Sequence, residues 1–148
     1  MNTTKDNRTI QPYLFFNGCC EQAVEFYRKA LGAEVLTLMR FKDNPEPEKG
    51  GCGPVPPDKI MHASFRIGDT QVMASDGQCT GKTNFDGFSL SLSVSTESEA
   101  DKFFGALADG GNVFMPLAKT FYSPRFGMVR DRFGVFWMVI TVPPGGSK

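Results

Sequence analysis

An excess of either charge is missing from this 148-residue chain: 16 lysines and arginines balance 16 aspartates and glutamates. A neutral chain has no basic footprint for nucleic acid and no polybasic segment for an anionic membrane. Long apolar runs are missing too. None approaches the ~20 residues of a bilayer-spanning helix, and the polar start MNTTKDNRT lacks the apolar stretch of a secretory signal. There is one histidine. The cysteines, Cys19, Cys20, Cys52 and Cys79, show no C-x-x-C spacing, so neither a disulfide framework nor a zinc site is signalled. The expectation is a single domain with reduced thiols in the cytoplasm.

What the sequence has in plenty is strand-like alternation. Met128 to Thr141, MVRDRFGVFWMVIT, reads as a hairpin. Asp131 bonds back onto the turn backbone, and Gly134 supplies the positive φ that closes it. The strand after the turn is apolar on both parities, Val135, Trp137 and Val139 against Phe136, Met138 and Ile140. Both faces should therefore be covered, one by helices and one by a ligand-sized cavity. Upstream, Ile10 to Phe16 reads as a strand, Asn17 as the cap of a helix from Gly18 to Leu31, and Gly32 as its left-handed stop. Glu34 to Phe41 is a further strand. Residues 42–59 carry five prolines and three glycines and form a long irregular loop. Ile60 to Ile67 and Gln71 to Ser75 make a second hairpin. Residues 76–87 are a polar connection in which Lys82 lacks Walker spacing. Phe88 to Ser95 alternates as a half-buried strand, and Thr96 with Glu99 forms a capping box. The helix that follows buries Ala100, Phe103, Phe104 and Leu107 and ends at Gly110-Gly111. Asn112 to Phe114 reads as a short strand, and 115–127 as an irregular aromatic stretch.

The order strand, capped helix, glycine stop, three strands occurs twice, in modules 10–76 and 86–142, after a tail at 1–9. Ala23, Phe26 and Tyr27 recur 77 residues later as Ala100, Phe103 and Phe104. One helix covers only one face of a four-stranded sheet, so two such units are expected to turn their remaining faces to a shared hollow. The expected fold class is α+β: two βαβββ modules forming a cupped mixed β-sheet with helices packed on the outside. PYLFFNG at 12–18, AVEFYRKALGAEV at 23–35, IMHASFRIGD at 60–69 and VRDRFGVFWMV at 129–139 carry a resemblance. The chain resembles the vicinal oxygen chelate superfamily of glyoxalase I, bleomycin-resistance proteins and extradiol dioxygenases. Within it, the chain is most similar to the PhnB-like group, often called 3-demethylubiquinone 3-methyltransferase-like. That resemblance implies a glyoxalase-like fold and a homodimer. It also implies, for most members, a divalent metal held by four side chains from the first and last strand of each half, typically His or Gln, Glu, His and Glu.

Aligned by strand pattern, those positions fall on Gln11, Met73, Ser89 and Met138. Two thioethers and a hydroxyl are poor ligands for a hard divalent ion, so no metal and no other cofactor is expected. Strand parity then draws a cavity wall from Gln11, Tyr13, Met73, Ser75, Ser89, Phe136 and Met138. His62 joins it, either as a structural residue or as a base oriented by Asp76. Arg125, beside Phe121 and Tyr122, is either an anchor for a carboxylate or phosphate or a surface cation stacked on a ring. The expected function is metal-free binding of a partly apolar small molecule. The alternative is a lyase, isomerase or dioxygenase of the same superfamily, with a relocated metal or none. Methyl transfer is disfavoured, because the strands do not alternate with helices and no glycine-rich loop follows the first one. A small-molecule ligand and a second copy of the chain are the expected partners, with no nucleic acid and no membrane.

Overall fold

The computed structural model describes residues 6–45, 56–77 and 79–142. The start of the tail, the middle of the 42–59 loop and Cys52 lie outside the described residues. Among these residues eight strands and two α-helices follow in the order β1 (Tyr13–Phe15), α1 (Cys20–Leu31), β2 (Glu34–Arg40), β3 (Ile60–Ile67), β4 (Thr70–Ser75), β5 (Leu90–Val94), α2 (Glu97–Ala108), β6 (Asn112–Ala118), β7 (Phe126–Arg130) and β8 (Phe136–Thr141), with one 3-10 turn at Phe41–Asp43. They form two four-stranded sheets of matching order, β1-β4-β3-β2 and β5-β8-β7-β6. In each, the first strand runs parallel to the last and the other pairs are antiparallel. The result is an α+β glyoxalase-like fold of two βαβββ repeats.

Two local expectations needed correction. The stretch 115–127 is irregular only over 119–125, since β6 continues through Pro116 to Ala118 and β7 begins at Phe126. A proline is tolerated there because β6 is an edge strand. Nor does Asn17 cap α1. Its φ is +53° and its side-chain amide donates to the Lys82 carbonyl at 2.9 Å. The cap comes from a distant residue. Asp76 Oδ1 accepts from the Gly18 and Cys20 amides at 2.8 Å each, and Oδ2 accepts from the Ile60 amide at 2.8 Å. A buried carboxylate is stabilised there by the exposed amides and positive end of the helix. The second helix matches half of its expectation: Glu99 N–H donates to Thr96 Oγ1 at 3.1 Å, but Glu99 Oε1 accepts from the Ser95 amide rather than from that of Thr96.

The core joins the two repeats. Tyr27 of α1 stacks on Phe65 of β3 at 5.9 Å and meets Trp137 of β8 edge-on at 5.6 Å. Its hydroxyl donates to Asp131 Oδ2 at 2.5 Å, and the Trp137 indole N–H donates to the same oxygen at 2.9 Å. Asp131 Oδ1 accepts the Phe133 and Val135 amides at 2.8 and 3.1 Å, which closes the turn that Gly134 completes at φ +95°. One carboxylate therefore ties the last hairpin to a helix of the other repeat. Burial pushes its pKa up, and the four hydrogen bonds oppose the shift.

Candidate functional site

Period-two alternation sends half of each strand away from the helices. In β8, Trp137, Val139 and Thr141 are buried in the core, while Phe136, Met138 and Ile140 on the other parity are half-exposed. The same holds in β1, where Leu14 is buried and Tyr13 and Phe15 are exposed. Each sheet thus has one open face. Tyr13, Phe15 and Phe114 are 37%, 52% and 57% exposed, so a single chain leaves these faces open rather than sealed around a hollow.

On the first sheet, Tyr13 pairs with Met73, and Met73 with Ser64. The Tyr13 hydroxyl hydrogen-bonds His62 Nδ1 at 2.9 Å, the histidine tautomer deciding which one donates. Phe15 lies beside Tyr13 with ring centroids 5.1 Å apart. Ser75 shares this parity but is buried, its hydroxyl accepting the Gly77 amide at 3.0 Å. Asp76 does not orient His62, because the helix and β3 amides take both of its oxygens.

On the second sheet, Met138 pairs with Ser91 on one side and Met128 on the other, and Phe136 pairs with Arg130. Gln11 and Ser89 precede β1 and β5. The residues that pair with Met73 and Met138 are Tyr13 and Ser91, each two positions after Gln11 and Ser89 on the same parity. Arg125 is not brought to this face. Its guanidinium lies 3.2 Å from Asp101 and 3.8 Å from Glu97, at the start of α2. Arg130 was missed because the ladder closes between Asp131 and Val135, one residue beyond Gly134, and that closure sets Arg130 opposite Phe136.

The four positions at which the resemblance implies metal ligands carry Gln11, Met73, Ser89 and Met138, and the residues paired with the two methionines, Tyr13 and Ser91, add only a phenol and a hydroxyl. This set does not fit a hard divalent ion. Among the described residues, no three His, Cys, Asp or Glu side chains gather as possible ligands. Thiolate chemistry is disfavoured as well, since burial pushes the Cys19 and Cys20 thiols up. A groove of about 810 Å³ lies between the two helices, past Phe26, Ala106 and Phe133. Its lining charges are already engaged, Glu21 with Arg40, Glu25 with Arg28 and Arg132 with Asp109. The sheet faces are the better candidate because their aromatic and thioether groups stand open.

Comparison with known proteins fits this geometry. The sequence profile of the 3-demethylubiquinone-9 3-methyltransferase family matches residues 8–140. The chain belongs to that family. Protein YjdN of Escherichia coli is 36% identical over 139 residues, 90% of this chain and 95% of its own. The crystal structure of PA1353 from Pseudomonas aeruginosa is 40% identical with a TM-score of 0.80, covering 93% of this chain and 99% of that one. A putative 3-demethylubiquinone-9 3-methyltransferase, PhnB protein, from Bacillus cereus is 28% identical with a TM-score of 0.75, covering 91% and 100%. More distant glyoxalase-related and fosfomycin-resistance structures share the fold alone. This member of the 3-demethylubiquinone-9 3-methyltransferase family is thus PhnB-like, with a glyoxalase-like fold.

Proposed function

We propose that this protein binds a partly apolar small molecule without a metal ion, on the open sheet faces, as a homodimer. The observation that carries the reading is the side-chain set at the four implied ligand positions, Gln11, Met73, Ser89 and Met138, with Tyr13 and Ser91 paired to the two methionines. Thioethers and hydroxyls suit an apolar ligand with a few hydrogen-bonding groups, whereas a divalent ion needs imidazole or carboxylate donors. The wall residues are Tyr13, His62, Met73, Phe136 and Met138, with Gln11 and Ser89 just beyond the strand ends.

Homodimerisation is supported by the outer strands. β2 exposes Val35, Leu36 and Leu38, and β6 exposes Val113, Phe114 and Met115. Apolar edge strands left open invite pairing, and a second copy that covers them also closes the open faces. Methyl transfer is not carried over from the family's description, because neither sheet has the parallel, helix-alternated order of a dinucleotide-type fold. Cytoplasmic function is part of the proposal, with Cys19 and Cys20 unbridged.

The test has two arms. Protein dialysed against nickel, zinc and manganese should retain well under one equivalent; stoichiometric tight uptake overturns the metal-free reading. A thermal-shift screen of aromatic metabolites and antibiotics should find ligands whose stabilisation disappears in Met73→Glu and Met138→Glu. Hits unaffected by both variants move the site elsewhere. One observation favours a second reading, a metal-independent lyase or isomerase: the Tyr13–His62 hydrogen bond is a ready proton-transfer pair on the open face. Turnover of a bound ligand that is lost in His62→Gln, with binding retained, would select it.

A further inference from the structure

This inference rests on the binding-face reading and names the ligand class. It begins at a break in the second sheet. β6 pairs Val113 with Val129 and then Met115 with Met128, so Phe114 has no rung of its own. Such a bulge re-aims a side chain. Here the Phe114 ring comes within 5.0 Å of Phe136, centroid to centroid. Arg130 Cζ lies 5.4 Å from the Phe114 centroid and 5.5 Å from that of Phe136. The guanidinium is thus walled by two rings on the open face, two residue pairs from Met128–Met138 and on the same side of the sheet.

Its hydrogen bonding is incomplete. Nη2 reaches Asp86 Oδ1 at 3.2 Å, but that aspartate is 73% exposed, and an exposed pair of this kind is weak. Nε is buried and has no hydrogen-bond partner among the described residues. A buried donor without an acceptor is a standing cost that an incoming acceptor removes.

We propose that this box binds the carboxylate of a flat aromatic acid. The carboxylate accepts from Nε and Nη2 of Arg130 in the fork geometry that a planar guanidinium offers, and displaces Asp86. The aromatic body lies along Phe114 and Phe136, with the Met128 and Met138 thioethers against its edge. A monoanion is favoured over a phosphate dianion, because one arginine faces the site and the charge beside it is an acid.

The test is calorimetric titration of the full-length protein with 2-naphthoate and with its neutral counterpart 2-naphthalenemethanol. The acid should bind about tenfold tighter or more, as a charge-assisted pair implies. Arg130→Gln should abolish that preference, bringing the acid's affinity down to that of the alcohol. Asp86→Asn should tighten naphthoate several-fold without affecting the alcohol, a gain that misfolding cannot produce. Equal binding of both probes, with no response to Arg130→Gln, overturns the anion box and leaves the apolar-face reading standing. Failure of both probes to bind at millimolar concentration overturns both.

Discussion

Replacing Asp131 with alanine removes the acceptor for four donors at the junction of the repeats. Two of these belong to buried side chains, the Tyr27 hydroxyl and the Trp137 indole N–H, with residue exposures of 0% and 3%. Left unpaired, each costs about 1–3 kcal/mol, and the two turn amides add less if water reaches them. Release of the carboxylate's own burial penalty offsets part of this, so the expected net loss is about 3 kcal/mol. For a chain of this length that lowers Tm by about 6–12 °C. Asp131→Asn retains one carbonyl oxygen and should lose about half as much, and Tyr27→Phe, which deletes a single donor, about 1.5 kcal/mol. Trp137 is the only tryptophan, so guanidinium unfolding followed by its fluorescence reads the network directly, at fixed protein concentration. The pH dependence has a definite sign. Burial raises the Asp131 pKa from 3.8, so the folded state holds this proton more tightly than the unfolded one. The carboxyl's contribution is fully present below the unfolded value and is lost as pH rises through the folded one. The deficit of Asp131→Asn should therefore be largest in acid and shrink as pH rises. A Tm change under about 2 °C for the alanine variant, or a deficit that grows with pH, refutes the reasoning.

Other substitutions probe single contacts. Asp76→Ala strips the acceptor from three amides, two of them at the start of α1. It should cost about 2–4 kcal/mol and speed amide hydrogen exchange in the first turn of α1 but not of α2. Gly127→Ala would bring a Cβ to 2.7 Å from the Phe104 ring and 3.0 Å from the Met115 carbonyl. The strain should lower stability by about 1–3 kcal/mol in the same unfolding assay. Arg125→Ala breaks exposed ion pairs with Glu97 and Asp101. It should change stability by less than about 1 kcal/mol and leave ligand affinity unchanged in titration.

The features legible in the sequence were those fixed by neighbours along the chain. The Asp131–Gly134 turn, the Thr96–Glu99 box and the Gly32 stop all act within a few residues, where local chemistry decides the outcome. Pro116 misled, because whether a proline breaks a ladder depends on whether its strand lies at an edge, a property of the whole sheet. Asp76 was missed as the cap of α1 because 56 residues separate it from Cys20. The pairing of Tyr13 and Ser91 with Met73 and Met138 went unread for the same reason. A strand's parity can be read from alternation, but the rung it occupies is set by a partner strand far away in sequence.

The two repeats share backbone devices and differ in side chains, and this difference bears on function. Each breaks its outer ladder at a corresponding place, Leu36 between Val35 and Thr37 in the first and Phe114 between Val113 and Met115 in the second. In the first repeat the bulged residue is aliphatic, and the open face carries the hydrogen-bonded Tyr13–His62 pair. In the second it is aromatic and stands against a guanidinium. Likewise the helix residue at the junction is Tyr27 in the first repeat and Phe104 in the second, so only one of them reaches across to a carboxylate. A pseudo-symmetric scaffold with identical faces would present equivalent sites to either end of a ligand. Faces that differ in charge and in hydrogen-bonding capacity favour one orientation, with the anionic end toward the second sheet.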